Sequence, residues 1–140
     1  MFRSALLLTA FATWWMPAAA GAETITYQAI LSSAAEVPPN KTAGTGTATA
    51  TIDTDTKMLS YMVRYTDLSG PATAGHFHGP AGVGKNAAVL IPIIAPLASP
   101  INGMARLSDA EIAEFGAGSV YVNIHTKENP DGEIRGQMSK

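Results

Sequence analysis

The sequence reads as an all-β domain, an antiparallel Greek-key-like β-sandwich or partly closed barrel of about seven or eight short strands. Three observations predict it. Side chains alternate with a period of two along most of the chain, turn-forming residues recur roughly every ten positions, and only one segment carries helix punctuation.

TITYQAIL (24–31) sets Ile25, Tyr27, Ala29 and Leu31 in phase, the pattern of a half-buried first strand. GTGTATATID (44–53) alternates Thr45, Thr47, Thr49 and Thr51 with Ala48, Ala50 and Ile52, as expected of a sheet with one wet face. After a turn at Asp53–Thr56, KMLSYMVRYTDL (57–68) puts Leu59, Tyr61, Val63 and Tyr65 on one side, so these two runs are expected to form a hairpin. AAVLIPII (87–94) is apolar enough for a strand, but Pro92 and Pro96 lack ladder donors and push it to a sheet edge. SPINGMARL (99–107) is a weaker strand. Ser108-Asp109-Ala110-Glu111 matches a capping box and predicts a helix over 108–115, ended by Gly116 and Gly118. SVYVNIHT (119–126) and GEIRGQM (132–138) flank Asn129-Pro130-Asp131-Gly132, which suits a type I turn closed by a glycine bulge.

The first residues, MFRSALLLTAFATWWMPAAAGAE, combine a basic start at Arg3, an apolar run over 5–16 and small residues at Ala20 and Ala22. That is the pattern of a secretory signal peptide, with cleavage expected after Ala22. The apolar run falls short of the roughly 20 residues that span a bilayer. The expected product is an extracytoplasmic protein, secreted or periplasmic, with one domain over 23–140. Losing Arg3 moves the formal charge from −2 to −3, and this acidic balance argues against nucleic acid, whose binding rests on clustered Lys and Arg. With no cysteine, the fold rests on packing and hydrogen bonds, and neither a thiolate metal site nor a lipid attachment point is expected.

Four blocks carry a family resemblance: LSSAAEVPP (31–39), the GTGTATATID strand, GPATAGHFHGPAGVGKNAAV (70–89) and YVNIHTKENPDGEIRGQ (121–137). In this order they resemble the CHRD domain, the module repeated in chordin and found alone in bacterial exported proteins. The last block is the most specific, since NIHT, the NPDG turn and GEIRGQ stand together at fixed spacing. The middle block departs at Phe77, where the family more often has an aliphatic residue, and at Ala87-Ala88, where it has Gly-Pro. The resemblance implies a β-sandwich and supplies no agreed biochemical activity. Growth-factor binding in chordin does not carry over to a lone domain.

In an extended HFH segment, His76 and His78 project to one face while Phe77 points into the core. The same alternation turns Val120, Val122 and Ile124 inward and Tyr121, Asn123 and His125 outward, and across the final hairpin Glu133, Arg135 and Gln137 share a face. If the strands lie side by side, His76, His78 and His125 converge as metal ligands. Glu133 is then a fourth ligand or an acceptor behind them, and Asn123, Arg135 and Glu36 surround the site. Three imidazoles suit copper or zinc, and Cu(II) binds nitrogen donors most tightly among the first-row divalent ions. A lone histidine before a glycine turn is most often a strand cap bonded to carbonyls. Here all three histidines of the chain fall in two glycine-rich motifs.

The rival reading is a non-metal module that binds a protein or glycan partner through the surface around Gly79–Lys85, with structural histidines. A copper superoxide dismutase comes third, disfavoured because such copper sites use four histidines and this chain has three. A triad from Ser69, Ser99 or Ser119 with His125 lacks a nucleophile elbow, and Glu36 with Glu133 as a glycosidase pair lacks an aromatic cleft. Arg135 is expected to pair with a carboxylate, and Glu36 to accept from Arg135 or a histidine. Asn40-Lys41-Thr42 is a glycosylation sequon read as chance.

Overall fold

A computed structural model describes residues 23–94 and 96–140; the expected signal peptide at 1–22 lies outside the described residues. Eight strands follow in chain order: β1 (Thr24–Ser32), β2 (Thr45–Asp53), β3 (Met58–Thr66), β4 (Ala72–His78), β5 (Val89–Pro92), β6 (Ile101–Arg106), β7 (Tyr121–Thr126) and β8 (Ile134–Gln137). They form one antiparallel sheet in the order β5-β4-β7-β8-β1-β2-β3-β6, curled nearly into a barrel rather than split into two separate layers. The expected hairpin of β2 and β3 is present in unbroken register from Asp53↔Met58 to Thr45↔Thr66. The proline-bearing β5 lies at the sheet edge, where a missing ladder donor costs least.

Alternation drives the curl. Tyr27, Leu31, Ala48, Ile52, Leu59, Val63, Phe77, Ile101, Val122, Ile124 and Ile134 turn inward and are buried together. Phe77 packs edge-on to Tyr61 at 5.4 Å and tilted to Phe115 at 6.0 Å, so the residue between the two histidines anchors their strand in the core. The helix α1 (Asp109–Gly116) starts at the predicted capping box: Ser108 Oγ accepts from the Glu111 N–H, and the Glu111 carboxylate accepts from the Ser108 N–H. It contributes a single buried side chain, Phe115, to that core. Gly103 faces Tyr61 across the β3–β6 pair, and a Cβ there would sit within 2.2 Å of the phenol oxygen, so the glycine makes room for the ring.

The last hairpin fixes the histidine strand. β7 pairs with both β4 and β8, with His76↔Asn123, His78↔Tyr121 and Asn123↔Arg135 opposite one another. The predicted turn is made by a Gly132 N–H to Asn129 C=O bond of 3.1 Å, with Gly132 at φ +130°. Tyr121, Asn123 and His125 point outward from β7 in the expected phase, yet every residue of β7 is buried. The loops over 33–44 and 79–88 lie across that face, tied to each other by the Asn86 amide donating to the Val37 carbonyl at 2.9 Å.

Candidate metal centre

The register brings three imidazoles to one patch. His76 lies opposite Asn123, and His125, paired with Ala74, is its diagonal neighbour; His78, opposite Tyr121, is diagonal to Asn123. One ring nitrogen from each of His76, His78 and His125 falls within 4.8 Å of the others. The closest pair, His76 Nδ1 and His125 Nε2, is 3.0 Å apart.

The hydrogen bonds behind the rings set their tautomers. His78 Nδ1 is 3.0 Å from the Ala87 carbonyl and His125 Nδ1 is 2.8 Å from the Pro130 carbonyl. A carbonyl only accepts, so each Nδ1 carries the hydrogen and each neutral ring presents a bare lone pair at Nε2. Both Nε2 atoms face the same acceptor, Asn123 Oδ1, at 3.1 and 3.0 Å. Protonating His125 would relieve its side of the conflict, but burial holds His125, like His76, below the ordinary histidine pKa of 6.5, and the neighbouring histidines lower both further. For His125 the Pro130 carbonyl and Asp131 oppose that shift without cancelling it.

The donor set passes a test of fit for a small transition-metal ion. Two nitrogens at about 2.0–2.1 Å from one ion are at most about 4.2 Å apart when trans and about 3.4 Å apart in a tetrahedron, so a widest separation of 4.8 Å must close by about 0.6–1.4 Å. His76 is the ring to move, because among the described residues its nitrogens have no backbone partner and only His125 lies within hydrogen-bond distance. Backbone carbonyls behind His78 and His125 supply the outer hydrogen bonds that metal-bound imidazoles use.

The remaining residues anticipated from the sequence occupy different places. Asn123 is at the centre of the cluster. Glu36 lies beside the Asn123 amide, buried, with Oε1 lacking a well-formed hydrogen bond; burial raises its pKa to about 7, against the lowering pull of Arg135, the Val37 N–H and Asn123. Arg135 pairs with no carboxylate among the described residues. It donates to Asn86 Oδ1 at 2.9 Å and the Lys85 carbonyl at 2.6 Å, and its guanidinium lies 3.4 Å over the Tyr121 ring. It therefore pins the loop whose Ala87 carbonyl orients His78. Glu133 makes no hydrogen bond to a histidine: it accepts from the Ser69 N–H (2.7 Å), Ser69 Oγ (2.6 Å), Thr126 Oγ1 (2.6 Å) and Asn129 Nδ2 (3.2 Å). Glu133 lies just before β8, after Gly132 at φ +130°, and its carboxylate is turned off the polar row toward Thr126. The sequon's Asn40 is engaged too, donating to the Glu133 carbonyl at 2.9 Å and accepting from the Thr42 N–H.

Sequence reasoning missed three contributors. Tyr121 stacks on His78 with ring centroids 4.8 Å apart and planes 4° from parallel, and the Ala87 and Pro130 carbonyls orient two rings. Carbonyls leave no trace in residue identity; Tyr121 could have been found from its outward phase with His125. An open cavity of about 360 Å³ reaches His78 and Asn123 past Val37, Pro38, Tyr121 and Asp131.

These features define a small antiparallel all-β module with a histidine cluster on the outer face of one strand pair. Its family follows from the match of the CHRD domain profile to residues 27–138: the chain belongs to the CHRD domain family. No curated protein and no solved structure matched the chain. No helix among the described residues is long and apolar enough to cross a membrane.

Proposed function

We propose that this is an exported CHRD-domain protein that binds a transition metal, copper first and zinc as the alternative, through His76, His78 and His125. One observation carries the reading: with both Nδ1 hydrogens committed to carbonyls, two imidazole lone pairs converge with the Asn123 amide oxygen on one point. A cation satisfies all three acceptors at once. The N3O donor set suits Cu(II), which heads the affinity order for nitrogen ligands, and also admits Zn(II). The metal would contribute Lewis acidity or, as copper, redox chemistry. The protein's own groups lower the pKa of His76 and His125, fix the tautomers of His78 and His125, and leave one side open to a small cavity.

A metal-free rival has its own support. If the Asn123 amide were reversed, its nitrogen would donate to both imidazoles and its oxygen would face a protonated Glu36, whose pKa of about 7 permits that state. The histidines would then be structural. Titration of the chelator-treated protein with Cu(II) and Zn(II), beside a His76→Ala/His78→Ala variant, separates the two. A single equivalent bound in competition with a micromolar chelator, and weakened by at least about 100-fold in the variant, is the expected result. Binding at millimolar concentration only, or unchanged by the substitutions, overturns it.

A further inference from the structure

The histidine cluster borders an acidic groove. The cavity of about 360 Å³ walled by His78, Tyr121 and Asn123 adjoins a second hollow of about 210 Å³, and the two share Val37, Pro38 and Asp131. The second hollow adds Glu36 and Glu128. Among the described residues, no Lys or Arg lines either hollow, and every acidic side chain there is a carboxylic acid of this set. The groove is graded in depth. Glu128 and Asp131 are exposed and form no ion pair among the described residues, whereas Glu36 is 5% exposed and leaves Oε1 unpartnered. In the larger cavity Pro38, Asn86 and Asp131 form an exposed rim over buried His78, Tyr121 and Asn123. The Asp131 charge is felt at His125, where it opposes the downward shift of that imidazole's pKa. Arg135, the neighbouring cation, is buried and bound to Asn86, the Lys85 carbonyl and the Tyr121 ring.

A cleft lined by one sign of charge between apolar walls focuses its field and concentrates ions of the opposite sign. Val37, Pro38, Pro39 and Pro130 are such walls. A divalent cation about 10 Å from one carboxylate in water is enriched about fourfold, so two exposed carboxylates together enrich it roughly tenfold. We propose that Glu128 and Asp131 at the rim, with Glu36 inside, form an entry path that draws divalent cations from solvent to His76, His78 and His125 and sets the rate of their capture. This rests on the metal reading of the histidines and concerns the route, not the ligands.

Stopped-flow quenching of tyrosine emission by Cu(II) gives the association rate constant, and capture by a chelator gives the dissociation rate constant. At about 10 mM ionic strength, where the Debye length is about 30 Å, Glu128→Gln/Asp131→Asn is expected to associate at least about fivefold more slowly than the wild type, with dissociation within about twofold. At about 1 M salt, where that length is about 3 Å, the association rates should converge. Glu23→Gln/Asp55→Asn changes the net charge equally at the other end of β1 and β2, about 25 Å along the strands from Ser32, which pairs with Arg135. It should leave association within about twofold. Unchanged association in the groove variant, or equal slowing in the remote variant, overturns the entry path and leaves metal binding by the histidines standing. Failure of the wild-type protein to bind Cu(II) overturns both.

Discussion

Glu133 offers the sharpest test of how the fold supports the site. The carboxylate is fully buried and accepts three bonds of 2.6–2.7 Å and one of 3.2 Å. Each bond to a charged group contributes about 1.5 kcal/mol at the low end, and the exposed Ser69 donors can recover water when the acceptor is lost. Glu133→Ala is therefore expected to cost about 3–5 kcal/mol, much of it from Thr126, which is left buried beside a void. Glu133→Gln keeps one acceptor for the Ser69 N–H but aims an amide nitrogen at Asn129 Nδ2, and should cost about 1–2 kcal/mol. Burial alone would raise this carboxyl's pKa, but the Ser69 and Thr126 bonds outweigh it and the net shift is downward. A depressed folded-state pKa gives stability that is complete above the unfolded value and lost as pH falls through the folded one. The gap between wild type and Glu133→Gln should accordingly narrow in acid. Urea unfolding at pH 7 and again below pH 4 measures both. An alanine cost under about 1 kcal/mol, or a glutamine cost equal to it, would refute the network as drawn. The same turn carries the Pro130 carbonyl that orients His125, so the glutamine variant is also expected to bind metal more weakly.

Three further outcomes follow from the site. Because burial lowers the pKa of His76 and His125 below 6.5, metal affinity should be nearly flat from pH 8 to 7 and fall only in more acid solution; affinity unchanged down to pH 4.5 would exclude imidazole ligation. Glu36 has the opposite sign to Glu133: its pKa rises from 4.5 to about 7, so stability present at low pH is lost as pH rises through 7, by up to about 3 kcal/mol, and Glu36→Gln in metal-free protein should abolish that slope in thermal unfolding. Arg135→Lys gives up the two-point grip on Lys85 and Asn86 and the stack on Tyr121, so it should weaken metal binding several-fold in the same titration while the circular dichroism stays native.

What the residues disclosed in advance divides along physical lines. Alternation and turn chemistry are local, so β1 to β3, the capping box of α1 and the NPDG turn were legible within a residue or two. The convergence of His76, His78 and His125 required the strand phases, which alternation discloses, and the pairing of β4 with β7, which the sequence left as a condition and the sheet register supplies. Phase arguments broke down where the backbone departs from a regular strand. Gly132 at φ +130° reorients Glu133, and no count of alternating positions predicts a carboxylate turned from His125 to Thr126. Burial was misjudged for the same reason, since the face that alternation marks as outward is roofed by two loops whose paths no periodicity encodes.

That roof explains why a polar cluster can exist here at all. Asn123, His125, Arg135 and Glu36 are all nearly excluded from water, and a buried polar network is costly unless its members are satisfied. The loops satisfy them with backbone atoms: Ala87, Pro130 and Lys85 carbonyls take the His78, His125 and Arg135 donors. The His78 and His125 Nε2 lone pairs still face the Asn123 oxygen, Glu36 Oε1 stays unpartnered behind it, and only the His76 ring, with Nδ1 3.0 Å from His125 Nε2, offers a hydrogen to one of those lone pairs. The Nδ1 donors of His78 and His125 have fixed acceptors, which leaves acceptors in surplus around the Asn123 oxygen. An excess of lone pairs at one buried point is the deficit that a cation, or a proton on Glu36 together with a turned amide, makes good, and those two remedies respond oppositely to a chelator.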